Sequence, residues 1–218
     1  METSTRPLRK DAERNRQRIL DAARELFAER GLGVTLNDIA HHAGVGVGTV
    51  YRRFPDKHEL IEALFEQRLE ELVSLMQAAV NHPDPWQGLV GALEQGLELQ
   101  ATDRGFKELV LGSPDGRTRT TQMRARLLPL ARELVARAHA SGQLRADVEA
   151  PDIPMMQLML GTVVDVAGDD HPELWRRYLQ IFLQGLRATP APPAPLAVGP
   201  LAPAEVDAAM SKWRPPRR

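Results

Sequence analysis

Thr49, Tyr51, Arg52, Arg53 and Lys57 lie close together in the chain, with Val47 and Gly48 just before them. Hydroxyls and cations of this kind reach phosphate oxygens, an arginine can also fork onto the O6 and N7 of a guanine, and a small residue such as Gly48 lets a backbone sink into a groove. This set suits recognition of a nucleic acid better than any bond-making reaction. The catalytic readings fail on spacing. Gly44-Val45-Gly46-Val47-Gly48 has no G-x-G-x-x-G register and follows a helical pattern, whereas a phosphate-cradling loop follows a strand. His41 and His42 are adjacent, so on a helix they point about 100° apart and cannot easily share an ion. His58, His82, His139 and His171 stand in no H-E-x-x-H or Glu-x-x-His pair, and Ser113 has no nucleophile-elbow context. With no cysteine there is neither a thiol nucleophile nor a cysteine zinc site. The sequence therefore predicts no catalytic residue, no metal and no cofactor.

Two short amphipathic helices position the polar set. Leu36, Ile39, Ala40 and Ala43 fall at i, i+3, i+4 and i+7, and so do Val47, Val50, Tyr51 and Phe54. Gly44 between them can take the positive φ that ends the first helix, with Val45 plugging the corner. Thr35 with Asp38 forms a near capping box that fixes where the first helix starts. The pattern is a helix-turn-helix.

The stretch Ala43-Gly44-Val45-Gly46-Val47-Gly48-Thr49-Val50-Tyr51-Arg52-Arg53-Phe54-Pro55-Asp56-Lys57-His58-Glu59-Leu60 resembles the signature of TetR-type transcriptional regulators, with Ile19, Ala22, Ala23, Leu26, Phe27 and Gly31 continuing the match upstream. The resemblance is close over about the first quarter of the chain and extends to the rest only in helical layout. It implies an all-α protein: an N-terminal three-helix DNA-binding head, a larger helical ligand-binding and dimerisation bundle, and a homodimer on double-stranded operator DNA. The function it implies is that of a repressor released from a near-palindromic operator by a small molecule. It also implies that Thr35, Thr49, Tyr51 and Lys57 hold phosphates, while Val47, Gly48, Arg52 and Arg53 meet base edges. One position departs from the family's habit: Gly46, before the recognition helix, is often Ser, and glycine caps a helix without offering a hydroxyl.

Along the chain, residues 1–10 read as a flexible basic arm, 11–56 as the DNA-binding domain, 57–188 as the helical ligand-binding and dimerisation domain, and 189–218 as a Pro-rich disordered tail. Residues 6–18 carry Arg6, Arg9, Lys10, Arg14, Arg16 and Arg18 against Asp11 and Glu13, so six cations oppose two carboxylates although the whole chain is near neutral at -1. Helices are expected from about 11 to 30, 57 to 80, from Asp84-Pro85 onward, 103 to 111, 117 to 140 with a bend at Pro129, 153 to 167 and 172 to 186. The last two are apolar nearly all round, through Met155, Met156, Leu158, Met159, Leu160, Val163 and Val164 in one and Leu174, Trp175, Tyr178, Leu179, Ile181, Phe182 and Leu186 in the other. A helix with two apolar faces must bury both, so these two are the expected homodimer contact. Trp86, Leu93, Phe106, Leu109, Met123, Leu127, Met156 and Met159 are the candidate walls of an effector pocket, for a small apolar or amphipathic molecule.

No apolar run approaches the roughly 18 residues of a membrane span, and the first residues lead into no signal-peptide core, so a cytoplasmic location is expected. A helical ligand-binding or scaffolding protein whose head no longer reads DNA is the alternative in a different class.

Overall fold

The computed structural model describes residues 6–103, 106, 116–190 and 196–212. Nine α-helices fall among them: α1 Arg6–Arg30, α2 Leu36–Ala43, α3 Val47–Arg53, α4 Lys57–Val80, α5 Pro85–Thr102, α6 Gly116–Ala140, α7 Asp152–Ala167, α8 Leu174–Leu186 and α9 Pro203–Lys212. No strand occurs among the described residues, and one isolated antiparallel bridge joins Leu144 to Arg187. The short helix expected over 103–111 lies outside the described residues except for Asp103 and Phe106.

Local chemistry accounts for the helix ends. Asp56 accepts from the Glu59 amide at 2.9 Å and starts α4. Asp84 accepts from the Trp86 amide at 2.9 Å ahead of Pro85, whose missing N–H has no helical partner at that position. α6 continues through Pro129 as one helix. Two expectations at the chain ends are corrected. The first helix begins at Arg6, not near residue 11, so the second half of the supposed arm is helical. The Pro-rich tail contains α9, which packs against α6 and buries Val206. The prolines of the tail do not prevent this helix. Pro203 stands in its first turn, where proline is tolerated, and no second proline follows before Lys212.

The chain divides into two compact units, with the division inside α4 at Arg68 and Leu69, not at residue 57. The first holds α1 to α3, α4 as far as Arg68, and Asp103 with Phe106. Its core joins Ile19, Leu20, Ala23, Leu26 and Phe27 of α1 to Ile39 and Ala40 of α2, Val50 and Phe54 around α3, and Leu60 and Leu64 of α4. The Arg68 guanidinium pairs with Asp103 at 2.8 Å, and Phe65 stacks on Phe106 with centroids 6.3 Å apart.

The second unit packs Trp86, Leu89, Leu93 and Leu97 of α5 against Val135 and Ala138 of α6, Met156 and Leu160 of α7, and Trp175 and Leu179 of α8. The end of α4 joins it through Ala79 and Val80, which pack with Leu134. There α4 and α5 approach so closely that a Cβ on Gly88 would run into the Ala79 carbonyl oxygen. No described helix is long and apolar enough to cross a membrane.

Candidate nucleic-acid interface

The turn between α2 and α3 is built as the spacing predicts. Gly44 has φ +62°, the left-handed conformation that a residue with a side chain adopts only under strain, and its amide and that of Val45 close α2 on His41 and Ala40 carbonyls. Thr35 and Asp38 complete a capping box. The Asp38 amide donates to Thr35 Oγ1 at 3.2 Å, and the Thr35 amide and hydroxyl both donate to Asp38 Oδ2 at 2.9 and 2.5 Å. Those Thr35 hydrogen bonds hold the Asp38 carboxyl below its usual range. The hydroxyl hydrogen of Thr35 is therefore committed to Asp38, so the geometry gives Thr35 a capping role first.

α3 is seven residues long and anchored by one fully buried side chain, Val50. Its other residues form an outward face. Val47 and Tyr51 are each 45% exposed, and Gly48, Arg52 and Arg53 are exposed as well. Among the described residues, nothing outside its own helix backbone and chain neighbours lies within 4 Å of where a Gly48 Cβ would be, so no such contact requires glycine there. Arg52 donates to the half-buried Thr49 hydroxyl at 3.3 Å, which aims the guanidinium along the same face. Arg53 lies 3.8 Å from Glu13 in an exposed pair, worth about 0–1 kcal/mol and readily exchanged for another partner.

Lys57 differs from expectation. Its ammonium donates to the Leu32 carbonyl and stands 5.7 Å from the Phe27 ring centroid, and burial lowers its pKa. Its first role in the free protein is to tie the start of α4 to the end of α1.

Arg18 is the residue that composition misassigns. Counted among the basic residues 6–18, it instead donates to the carbonyls of Ala43 at 2.7 Å and Gly44 at 3.3 Å, stapling α1 to the helix-turn-helix corner. Hydrogen bonds from a charged donor are worth about 1.5–3 kcal/mol each. No local signal reveals this, because the partners are 25 and 26 residues away. His42 likewise reaches back to Glu25 at 2.8 Å. Arg14 and Arg16 remain near the surface, 3.4 and 3.8 Å from Asp11 and Glu13. Because residues 6–10 belong to α1, charge-neutralising substitutions test the basic segment better than truncation. Replacing Arg9, Lys10 and Arg14 by Gln is expected to flatten the salt dependence of DNA binding by roughly 0.9 for each phosphate no longer neutralised, and an unchanged slope would show the segment to be a bystander.

Of the eight expected pocket residues, those described fall in both units. Trp86, Leu93 and Met156 are buried in the core of the second unit, with the Arg187 guanidinium 4.0 Å from the Trp86 ring centroid. Met123 and Leu127 are half-buried on α6. Met159 is 50% exposed and points outward, so it lines no interior wall. Phe106 belongs to the first unit, stacked on Phe65, and Leu109 lies outside the described residues. Among the described residues, no group of three or more His, Cys, Asp or Glu is placed to hold a metal ion.

Comparison with known proteins agrees with this geometry. Residues 19–64 match the family model of bacterial regulatory proteins of the tetR family, and residues 84–188 match that of the SbtR-like transcriptional regulator C-terminal domain; neither reaches residues 189–218. An HTH-type transcriptional regulator of Staphylococcus aureus (strain USA300) is 41% identical over 68 residues, which span 31% of this chain and 37% of the length of that curated relative. Among solved structures, a TetR transcription regulatory protein from Mycobacterium vanbaalenii is 32% identical, with a TM-score of 0.65 over 83% of this chain and 99% of its own. A TetR transcriptional regulator from Streptomyces coelicolor is 26% identical, with a TM-score of 0.62 over 80% and 99%. With a left-handed glycine corner, a capped α2, an α3 whose polar face is open, and a likeness to the Mycobacterium vanbaalenii protein over nearly all of that protein's length, this chain belongs to the TetR family of transcriptional regulators.

Proposed function

We propose that this regulator is a repressor that binds a near-palindromic operator as a homodimer and is released by a small apolar or amphipathic molecule. The observation that carries the DNA-reading part is the outward face of α3, where Val47, Gly48, Tyr51, Arg52 and Arg53 stand clear of the protein's own core. Two such faces would enter successive major grooves about 34–36 Å apart. Tyr51 and Thr49 would fix register on phosphates, Arg52 and Arg53 would reach base edges, and Val47 would meet a thymine methyl.

Dimerisation is supported by apolar side chains that α7 and α8 leave uncovered: Met159 at 50%, Val166 at 78%, Tyr178 at 40% and Ile181 at 52% exposure. An effector held in the second unit would act by moving α4, the helix that runs from one unit into the other. Loss of the matched spacing between two heads would then lower operator affinity.

The test is a gel shift on DNA upstream of the protein's own gene, with random DNA as the reference. Arg52→Ala is expected to cost about 1–3 kcal/mol on the specific site and much less on random sequence, whereas Tyr51→Ala weakens both similarly. Equal losses for Arg52→Ala on both DNAs would remove its base-reading role. Absence of any specific shift would favour a helical ligand-binding or scaffolding protein instead.

A further inference from the structure

α3 has few contacts of its own to fix its angle. Val50 is its one buried residue, and Gly46 ahead of it offers no side chain, so no side-chain cap holds the first turn. The angle at which the outward face of α3 is presented therefore depends on the corner Ala43-Gly44-Val45-Gly46, where Val45 packs against the core of the first unit.

Arg18 holds this corner from α1. The two carbonyls it engages receive no backbone amide among the described residues, because the amides of Gly44 and Val45 turn back onto His41 and Ala40 and those of Thr49 and Val50 reach Gly46. Arg18 Nη2 carries two hydrogens, one for the Ala43 carbonyl at 2.7 Å and one for that of Gly44 at 3.3 Å. Both oxygens lie at the C-terminal end of α2, where a cation meets the negative end of the helix dipole. Gly44 also makes room for the guanidinium. A Cβ there would stand 3.2 Å from Nη2, so glycine at 44 serves the left-handed φ of +62° and the seat of Arg18 together. Arg18 is exposed, while Ile19 and Leu20 beside it are fully buried, so shortening its side chain opens no cavity in the core.

We infer that Arg18 is a positioning residue for operator recognition, which sets the angle of α3 through Ala43 and Gly44 and so governs how selectively Arg52 and its neighbours read a sequence. The inference rests on the reading of α3 as the base-reading helix.

Arg18→Met keeps most of the stem and removes the donors, and the full chain is tested without and with DNA. In the free protein, amide hydrogen exchange over residues 43–53 is expected to quicken about 10-fold while the second unit is unchanged. Unchanged exchange over 43–53 would overturn the inference. In gel shifts, the ratio of affinity for the DNA upstream of the gene to that for random DNA is expected to fall about 10-fold with no change in salt dependence. Equal losses on both DNAs, with a salt slope lowered by about 0.9, would make Arg18 a phosphate ligand instead. Arg52→Ala should cost less in the Arg18→Met background than alone, and strictly additive losses would overturn the coupling. Arg18→Lys keeps the charge on a shorter stem and serves if Arg18→Met does not fold; it should also lose selectivity, and full selectivity with lysine would show that charge alone suffices. If the unsubstituted protein prefers neither DNA, the reading of α3 itself falls, and the exchange measurement alone decides whether Arg18 holds the corner.

Discussion

Ile181→Asp is expected to turn the proposed homodimer into a monomer and lower operator affinity by about 10²–10⁴-fold, the range that linkage of two binding modules supplies. Ile181 is 52% exposed on α8, while Trp175 and Leu179 of the same helix face the core, so the substitution leaves the subunit's interior untouched. If α8 packs across a two-fold axis, the new carboxylate enters the contact once from each subunit, and one substitution counts twice. Burying a like-charge pair is strongly unfavourable. By contrast Leu160, 1% exposed, belongs to the subunit core, and Leu160→Glu would report on folding, not assembly. Sedimentation gives the oligomeric state and a gel shift gives the affinity. A variant that stays dimeric, or a monomer with undiminished affinity, would dismiss this interface.

Gly48→Leu should lower operator affinity by about 3 kcal/mol, roughly 100-fold, without weakening the head. Inside a helix glycine is about 1 kcal/mol less favourable than alanine, and among the described residues nothing outside its own helix backbone and chain neighbours lies within 4 Å of where a Cβ would stand. Gly48→Ala should therefore raise thermal stability. The tolerance of the free protein and the intolerance of its complex separate folding from contact with DNA. If Gly48→Leu bound the operator as well as the parent, α3 would not lie deep in a groove.

The helix-turn-helix is readable in the sequence because its determinants are local. Thr35 and Asp38 are three residues apart, Gly44 interrupts two i, i+3, i+4, i+7 patterns, and Asp56 caps from within one turn. Arg18 and Lys57 are not readable in the same way, because their carbonyl partners are distant in sequence and a cation beside DNA-binding residues looks like a phosphate ligand. Met156 and Met159 expose a different limit. Where a helix is apolar on every side, periodicity carries no phase, and only packing decides that Met156 turns inward and Met159 outward. The prolines of the tail point to disorder, yet Pro203 stands at the start of α9, where proline is tolerated, and Val206 supplies the anchor.

The close approach of Gly88 to Ala79 decides what position 88 can hold. A Cβ there would run into the Ala79 carbonyl oxygen, and main chain cannot turn aside as the end of a flexible side chain can, so the end of α4 and the start of α5 pack this tightly only with glycine between them.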